Sequence, residues 1–120
     1  MNSLNFEKMQ GLLPAIVQDS ATGEILMLGC MNREAYEATI RLGYVTFFSR
    51  TRGTLWTKGE SSGNRLELLS IATDCDNDSL LLQVRVHGAG VVCHEGTRSC
   101  FNKEIMKRAE TAAIAPERNQ

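Results

Sequence analysis

The stretch Leu66-Glu67-Leu68-Leu69-Ser70-Ile71-Ala72-Thr73-Asp74-Cys75-Asp76-Asn77-Asp78-Ser79-Leu80-Leu81-Leu82-Gln83-Val84-Arg85-Val86-His87 decides the fold. From Ser79 onward, Leu80, Leu82, Val84 and Val86 fall on every second position. That is the period of a strand with one face in a core. Residues 66–72 read as a second strand. The acidic run from Asp74 to Asp78 between them reads as the tip of a hairpin.

The same reading extends outward. Residues 13–18 and 24–30 form two further strands, joined by Asp19-Ser20-Ala21-Thr22-Gly23, which carries turn chemistry. Asn32 suits an N-cap, Glu34 the first turn and Gly43 the C′ position of a helix. Its expected buried face is Ala35, Tyr36, Thr39, Ile40 and Leu42. Residues 44–49 read as a strand. Residues 50–64, polar and containing Gly53, Gly59 and Gly63, read as one long loop. Gly88-Ala89-Gly90 ends the last strand, and a second helix is expected to start after Asn102 and run towards Ala113, with a frayed end through Gln120. Residues 1–10 read as a short helix or an irregular arm. The expected architecture is an α+β domain, a small mostly antiparallel sheet with one or two packed helices, spanning 1–120 as a single domain.

Composition narrows the function. The 120 residues suit one core, and 42% hydrophobic with 22% charged residues is ordinary for a globular chain. A net charge of −1 provides no electrostatic drive towards nucleic acid or membrane. No basic segment followed by an apolar run opens the chain, and no apolar stretch approaches the roughly 20 residues of a membrane span. The reading is therefore cytoplasmic, where four cysteines stay reduced and serve metals or catalysis more often than disulfides.

Two metal chemistries sit close together. Cys75, Cys93 and Cys100 offer three thiolates, suited to a borderline ion such as zinc. Asp74, Asp76 and Asp78 offer carboxylates for a hard ion such as magnesium. In extended chain, alternation would turn the three carboxylates to one side and Cys75 to the other. Asn77-Asp78 also favours a turn, and a solvated hairpin tip is the bland alternative. The six residues between Cys93 and Cys100 exceed the usual knuckle spacing, and any of these cysteines could be a small buried hydrophobe. Cys30, in an apolar strand, is assigned to the core. His94 could be a general base, a metal ligand or a group that orients one; His87 reads as structural or partly exposed.

The loop offers a second kind of chemistry. Arg50, Arg52, Lys58 and Arg65 lie among Ser49, Thr51, Thr57, Ser61, Ser62 and Gly63, a mixture suited to phosphate. The Walker pattern is absent. Trp56 can stack on a base or pack over the core. The candidate substrate contacts are Arg50, Arg52, Trp56, Lys58, Ser61 and Ser62.

These residues resemble a known family. Trp56-Thr57-Lys58-Gly59-Glu60-Ser61-Ser62-Gly63 is similar to the W-x-K-G-E-[ST]-S-G signature of phosphoribosyl-AMP cyclohydrolase. Asp74 to Asp78 resembles its D-C-D-x-D, and Cys93-His94-Glu95-Gly96-Thr97-Arg98-Ser99-Cys100-Phe101 its C-H-x-G-x-R-S-C-F. The segments at 11–19, 23–28 and 31–32 also fit, so the likeness covers about residues 11 to 101. It implies opening of the purine ring of 1-(5-phosphoribosyl)-AMP at the N1–C6 bond, a step of histidine biosynthesis, by a zinc-activated water. It also implies a homodimer with metal sites at the subunit interface. Zinc would take Cys75 from one subunit and Cys93 and Cys100 from the other; magnesium would take Asp74, Asp76 and Asp78 and assist with phosphate. His94 is the candidate for proton transfer. Thr97 departs from the His or Arg often found there. A fused pyrophosphohydrolase domain, carried by some relatives, is not expected within this length. The competing reading is a zinc-stabilised nucleotide-binding module, to which the acidic triplet would be superfluous. A thiol redox protein is disfavoured because C-x-x-C is absent.

Overall fold

The computed structural model describes residues 3–109. Its elements run β1 (Leu13–Asp19), β2 (Ile25–Met31), α1 (Arg33–Leu42), β3 (Thr46–Ser49), β4 (Thr54–Thr57), β5 (Leu66–Thr73) and β6 (Leu80–Val86). A four-stranded sheet has the order β2-β1-β6-β5, and β3 pairs with β4 as a separate two-stranded sheet. Every pairing is antiparallel except β1 with β6, in which Val17 lies opposite Leu82. The expected α+β class and mostly antiparallel sheet are present, with one helix among the described residues.

Alternation builds the core. In β1 Leu13, Ala15, Val17 and Asp19 point inward, and in β6 Leu80, Leu82 and Val84 do so. Leu26, Met31, Val45, Phe47 and Leu66 complete the same cluster. Each fully buried side chain of this size contributes roughly 1.5–3 kcal/mol. The two sheets meet where Gly29 faces Phe47: a Cβ at residue 29 would lie 2.5 Å from the ring.

The helix begins and ends where its caps place it. Asn32 Oδ1 accepts the Ala35 N–H at 2.8 Å, and Gly43, at φ +80°, donates to Thr39 O. The buried Thr39 hydroxyl donates to Ala35 O at 2.8 Å and accepts the Thr46 N–H at 3.0 Å, which ties the helix to β3. The expected helix face needs correction. Ala35, Ala38 and Thr39 are buried, whereas Ile40 and Leu42 are 54% and 51% exposed. At about 100° per residue the inward stripe passes through 35, 38 and 39 and leaves 40 and 42 outside.

Two other expectations are revised. The loop expected at 50–64 contains β4, because Thr54-Leu55-Trp56-Thr57 is β-branched and aromatic and finds β3 as a partner. Trp56 lies opposite Phe47, with ring centroids 5.3 Å apart. The second helix is absent from residues 102–109, which are exposed and irregular. Ile105 and Met106 bury against nothing described, and a helix with no packed face lacks its main source of stability. The remainder of that expected helix, to Ala113, and the end through Gln120 lie outside the described residues. Residues 3–10 form an irregular arm held by buried Phe6, over which the Arg33 guanidinium lies at 4.6 Å. Cys30 is only half-buried.

Candidate metal and substrate site

The acidic tip is a turn rather than an extended segment. Asp74 Oδ1 accepts the N–H groups of Asp78 and Ser79 at 3.0 and 3.2 Å, and Asn77 takes φ +63°. The carboxylates of Asp74, Asp76 and Asp78 thereby converge, with one oxygen from each within 4.8 Å of the others. The expected grouping holds, but folding back of the chain produces it, not strand alternation. Lys8, in the N-terminal arm, places its ammonium 2.6 Å from Asp78 and 3.2 Å from Asp76. The Lys8 side chain is the main cause holding the Asp76 carboxyl below the usual aspartate range, and the two carboxylates push Lys8 well above the usual lysine range.

Cys93 and Cys100 occupy a loop shaped by its own hydrogen bonds. Cys93 N–H donates to Thr97 O at 3.0 Å, and Gly96 N–H donates back to Cys93 O at 3.0 Å. The loop is fastened to β2: Cys100 N–H donates to Leu26 O at 2.8 Å, and the Ser99 hydroxyl donates to Ile25 O at 2.8 Å. Arg98 adds an ionic anchor. Its Nε donates to Glu24 at 2.7 Å, one terminal nitrogen donates to Gly90 O at 3.2 Å, and the other pairs with the buried carboxylate of Asp19. Asn102 Nδ2 lies 3.9 Å from Cys93 Sγ.

The two thiols shift each other's titration in opposite directions. A backbone hydrogen bond from Glu95, then the Thr97 hydroxyl, holds the Cys93 thiol below its ordinary value. Burial, then the neighbouring Cys93, pushes Cys100 up. Hydrogen bonds that favour the thiolate are what a metal ligand of this type needs. Beside them a cavity of about 340 Å³ is lined by Lys58, Ser62, Asn64, Val92, Cys93 and His94.

The other candidate residues are distributed unevenly. Arg52, Trp56, Ser61 and Ser62 line an adjoining cavity of about 380 Å³. Lys58 Nζ lies 5.8 Å from the Trp56 ring. Arg50 stands apart, with Phe6, Arg33 and Phe48, in a cavity of about 580 Å³. Cys75 is exposed on the acidic turn, and among the described residues it joins no cluster with Cys93 and Cys100. Lys8 and Asn102 were not anticipated. Lys8 is 68 residues from Asp76 and carries no local signal, whereas Arg98 stands inside the second cysteine motif.

Comparison with known proteins decides the family. A family model described as phosphoribosyl-AMP cyclohydrolase matches residues 27–102, which run from β2 past the acidic turn to the end of the cysteine loop. The chain belongs to the phosphoribosyl-AMP cyclohydrolase family. It is 50% identical over 103 residues to the phosphoribosyl-AMP cyclohydrolase of Solibacter usitatus, covering 86% of this chain and 81% of that one. It is 57% identical over 101 residues to the histidine biosynthesis bifunctional protein HisIE of Bacteroides thetaiotaomicron, covering 84% and 49%. The HisIE of Escherichia coli strain K12 is 58% identical over 98 residues, covering 82% and 47%. The chain thus spans about half the length of these bifunctional relatives. Among the described residues no helix is long and apolar enough to cross a membrane.

The donor groups of this cyclohydrolase-family chain fit two different cations. Three convergent carboxylates suit a hard ion. Thiols are donors of the kind a softer ion takes, and Cys93 is held low, but among the described residues Cys93 and Cys100 belong to no group of three donors.

Proposed function

We propose that the chain catalyses hydrolytic opening of the adenine ring of 1-(5-phosphoribosyl)-AMP. The observation that carries this reading is the cavity in which Cys93, His94 and Lys58 meet, within a chain of this family. Water adds at C6, the N1–C6 bond breaks, N1 gains a proton and C6 becomes the carbonyl carbon of the opened product. Cys93 and Cys100 would hold zinc, with Cys75 of a second copy as the third ligand; Asp74, Asp76 and Asp78 would hold magnesium. When bound, zinc supplies the Lewis acidity that lets water attack near neutral pH, and magnesium offsets phosphate charge.

The chain's own residues do the rest. His94, exposed at the cavity wall, moves the proton between attacking water and departing N1. Lys58 brings a cation to the same wall for substrate phosphate. Trp56, half-buried against Phe47, offers the edge of the neighbouring cavity as a surface for the base. Arg52, Ser61 and Ser62 bind along that edge, and Arg50, on its separate cavity, is assigned an outlying phosphate contact. A homodimer would complete the zinc ligand set, and the cytoplasm is the compartment that would keep its thiols reduced.

The test is turnover of phosphoribosyl-AMP, followed by the change in ultraviolet absorbance on ring opening, with zinc removed and then restored. Activity should vanish and return. A zinc-replete protein that binds the nucleotide without opening it would instead be a binding module.

A further inference from the structure

We propose that Arg65, Tyr44 and His87, with the Ser61–Ser62 wall, form a pocket for a phosphomonoester carried on ribose. This rests on the proposed reaction for the identity of the ligand, but its geometry stands independently. The pocket, about 390 Å³, shares Ser62 with the cavity that holds Cys93 and His94. The two cavities therefore adjoin at that residue.

Of the two basic side chains lining the pocket, His87 is paired and Arg65 is not. Glu67 is already engaged: its Oε1 lies 2.7 Å from His87 Nε2 and accepts from Arg85 at 3.0 Å. Arg65 has no carboxylate partner among the described residues. Its guanidinium lies 5.3 Å from the Tyr44 ring centroid, a stacking contact that occupies a face of the group and leaves its edge donors free. Tyr44 in turn meets His87 edge-on at 6.0 Å, and Glu67 fixes His87. The guanidinium is thus held by its neighbours before any ligand arrives, which lowers the entropy lost on binding.

The serine wall is equally constrained. Gly59 packs so closely that a Cβ there would lie 2.2 Å from Asn64 O, and a Cβ at Gly88 would lie 2.3 Å from Asn64 Oδ1. The first contact closes the Gly59–Asn64 turn on itself, and the second, with the Ala89 N–H donated to Asn64 Oδ1 at 2.8 Å, holds it against the segment after β6. Ser61 and Ser62 are exposed on it and supply hydroxyls. Glu60 also lines the pocket and disfavours an anion at its own end, so the phosphate belongs at the Arg65 end. A substrate bearing a reacting base and a phosphoribosyl arm would place the base by Cys93 and the arm across Ser62.

The experiment is calorimetric titration of the zinc-loaded protein with ribose 5-phosphate, beside steady-state kinetics on phosphoribosyl-AMP. Arg65→Gln should weaken ribose 5-phosphate by about tenfold or more and raise KM with kcat little changed. Arg41→Gln, which removes an exposed cation at the end of α1 that lines none of these cavities, should leave binding unchanged. Should Arg65→Gln fail to fold, Ser61→Asp brings negative charge to an exposed wall position and should produce the same loss. Equal affinity in wild type and either pocket variant overturns the proposal, as does failure of the wild type to bind. If the wild type turns over no phosphoribosyl-AMP yet ribose 5-phosphate binding still depends on Arg65, the proposed reaction falls and the pocket stands.

Discussion

Lys8 Nζ lies 2.6 Å from Asp78 Oδ2, so a cation from the N-terminal arm sits among the three carboxylates assigned to magnesium. A divalent ion drawing on Asp76 and Asp78 must compete with that ammonium. Lys8→Met should therefore tighten binding of Mn²⁺, a stand-in for magnesium, by about two- to fivefold, the scale of an exposed ion pair. Paramagnetic broadening of water relaxation reports the affinity. Weaker binding in the variant would show that Lys8 assists the ion.

Arg98 joins the cysteine loop to the buried carboxylate of Asp19. Arg98→Ala leaves that carboxylate with the Ala21 N–H at 2.9 Å as its remaining described partner. Arg98 is itself partly exposed, which lowers the cost below that of a fully buried pair, to about 2 kcal/mol. Urea unfolding measures it. Zinc content should fall along with stability, because Val92, Cys93 and Cys100 hang from the same loop. Arg98→Lys keeps the charge but loses the fork that reaches Asp19, Glu24 and Gly90 together, so it should rescue only part of the loss.

Gly88 carries a backbone constraint. It has φ +76°, and a Cβ there would meet Asn64 Oδ1 at 2.3 Å and Gly63 O at 2.7 Å. Gly88→Ala should cost about 1–3 kcal/mol from the left-handed backbone alone, with more from the clash. Thermal unfolding should show the loss, and KM should rise because Ser61 and Ser62 ride on the displaced turn. An unchanged melting temperature would mean that the Asn64 contact yields freely.

Much of the fold was legible because its signals are local. Asn32 and Gly43 bound a helix through their own cap chemistry, and Leu80, Leu82 and Val84 show their buried face by alternation alone. β4 has a strand's composition in Thr54-Leu55-Trp56-Thr57, but four residues between Gly53 and Gly59 are a short signal in a polar, glycine-rich stretch, and β3 as their partner is visible only in the fold. Asp74, Asp76 and Asp78 were found as a set, yet their convergence comes from the Asp74 carboxylate capping the turn, which spacing could not distinguish from an extended strand. The Lys8 contact and the Arg98–Asp19 pair join residues 68 and 79 positions apart, and only the folded chain brings them together.

Glu67 gives a pH signature. Its carboxyl is held below the ordinary glutamate value, first by the hydrogen bond with His87 and further by Arg85. A depressed value means that the cluster stabilises the fold fully above the ordinary glutamate range and loses that contribution as pH falls through the lowered value. The stability gap between wild type and Glu67→Gln should therefore close as pH falls below the ordinary glutamate range. Urea midpoints across that range test this. A constant gap would place the effect in packing.

Cys75 separates a site within one chain from a site between two. It is exposed on the acidic turn, while Cys93 and Cys100 belong to another loop. If zinc takes Cys75 from a second copy, Cys75→Ser and Cys100→Ser are each inactive alone but complement when mixed. Half of randomly re-formed dimers would be hybrid, and each hybrid holds one intact site and one doubly broken site. Activity should therefore recover to about a quarter of the wild-type value after unfolding and refolding together with zinc, as two-fold symmetry requires. Zinc content should rise in parallel, by about one intact site per hybrid. A mixture that stays inactive and gains no zinc would place all three ligands within one chain or remove Cys75 from the set.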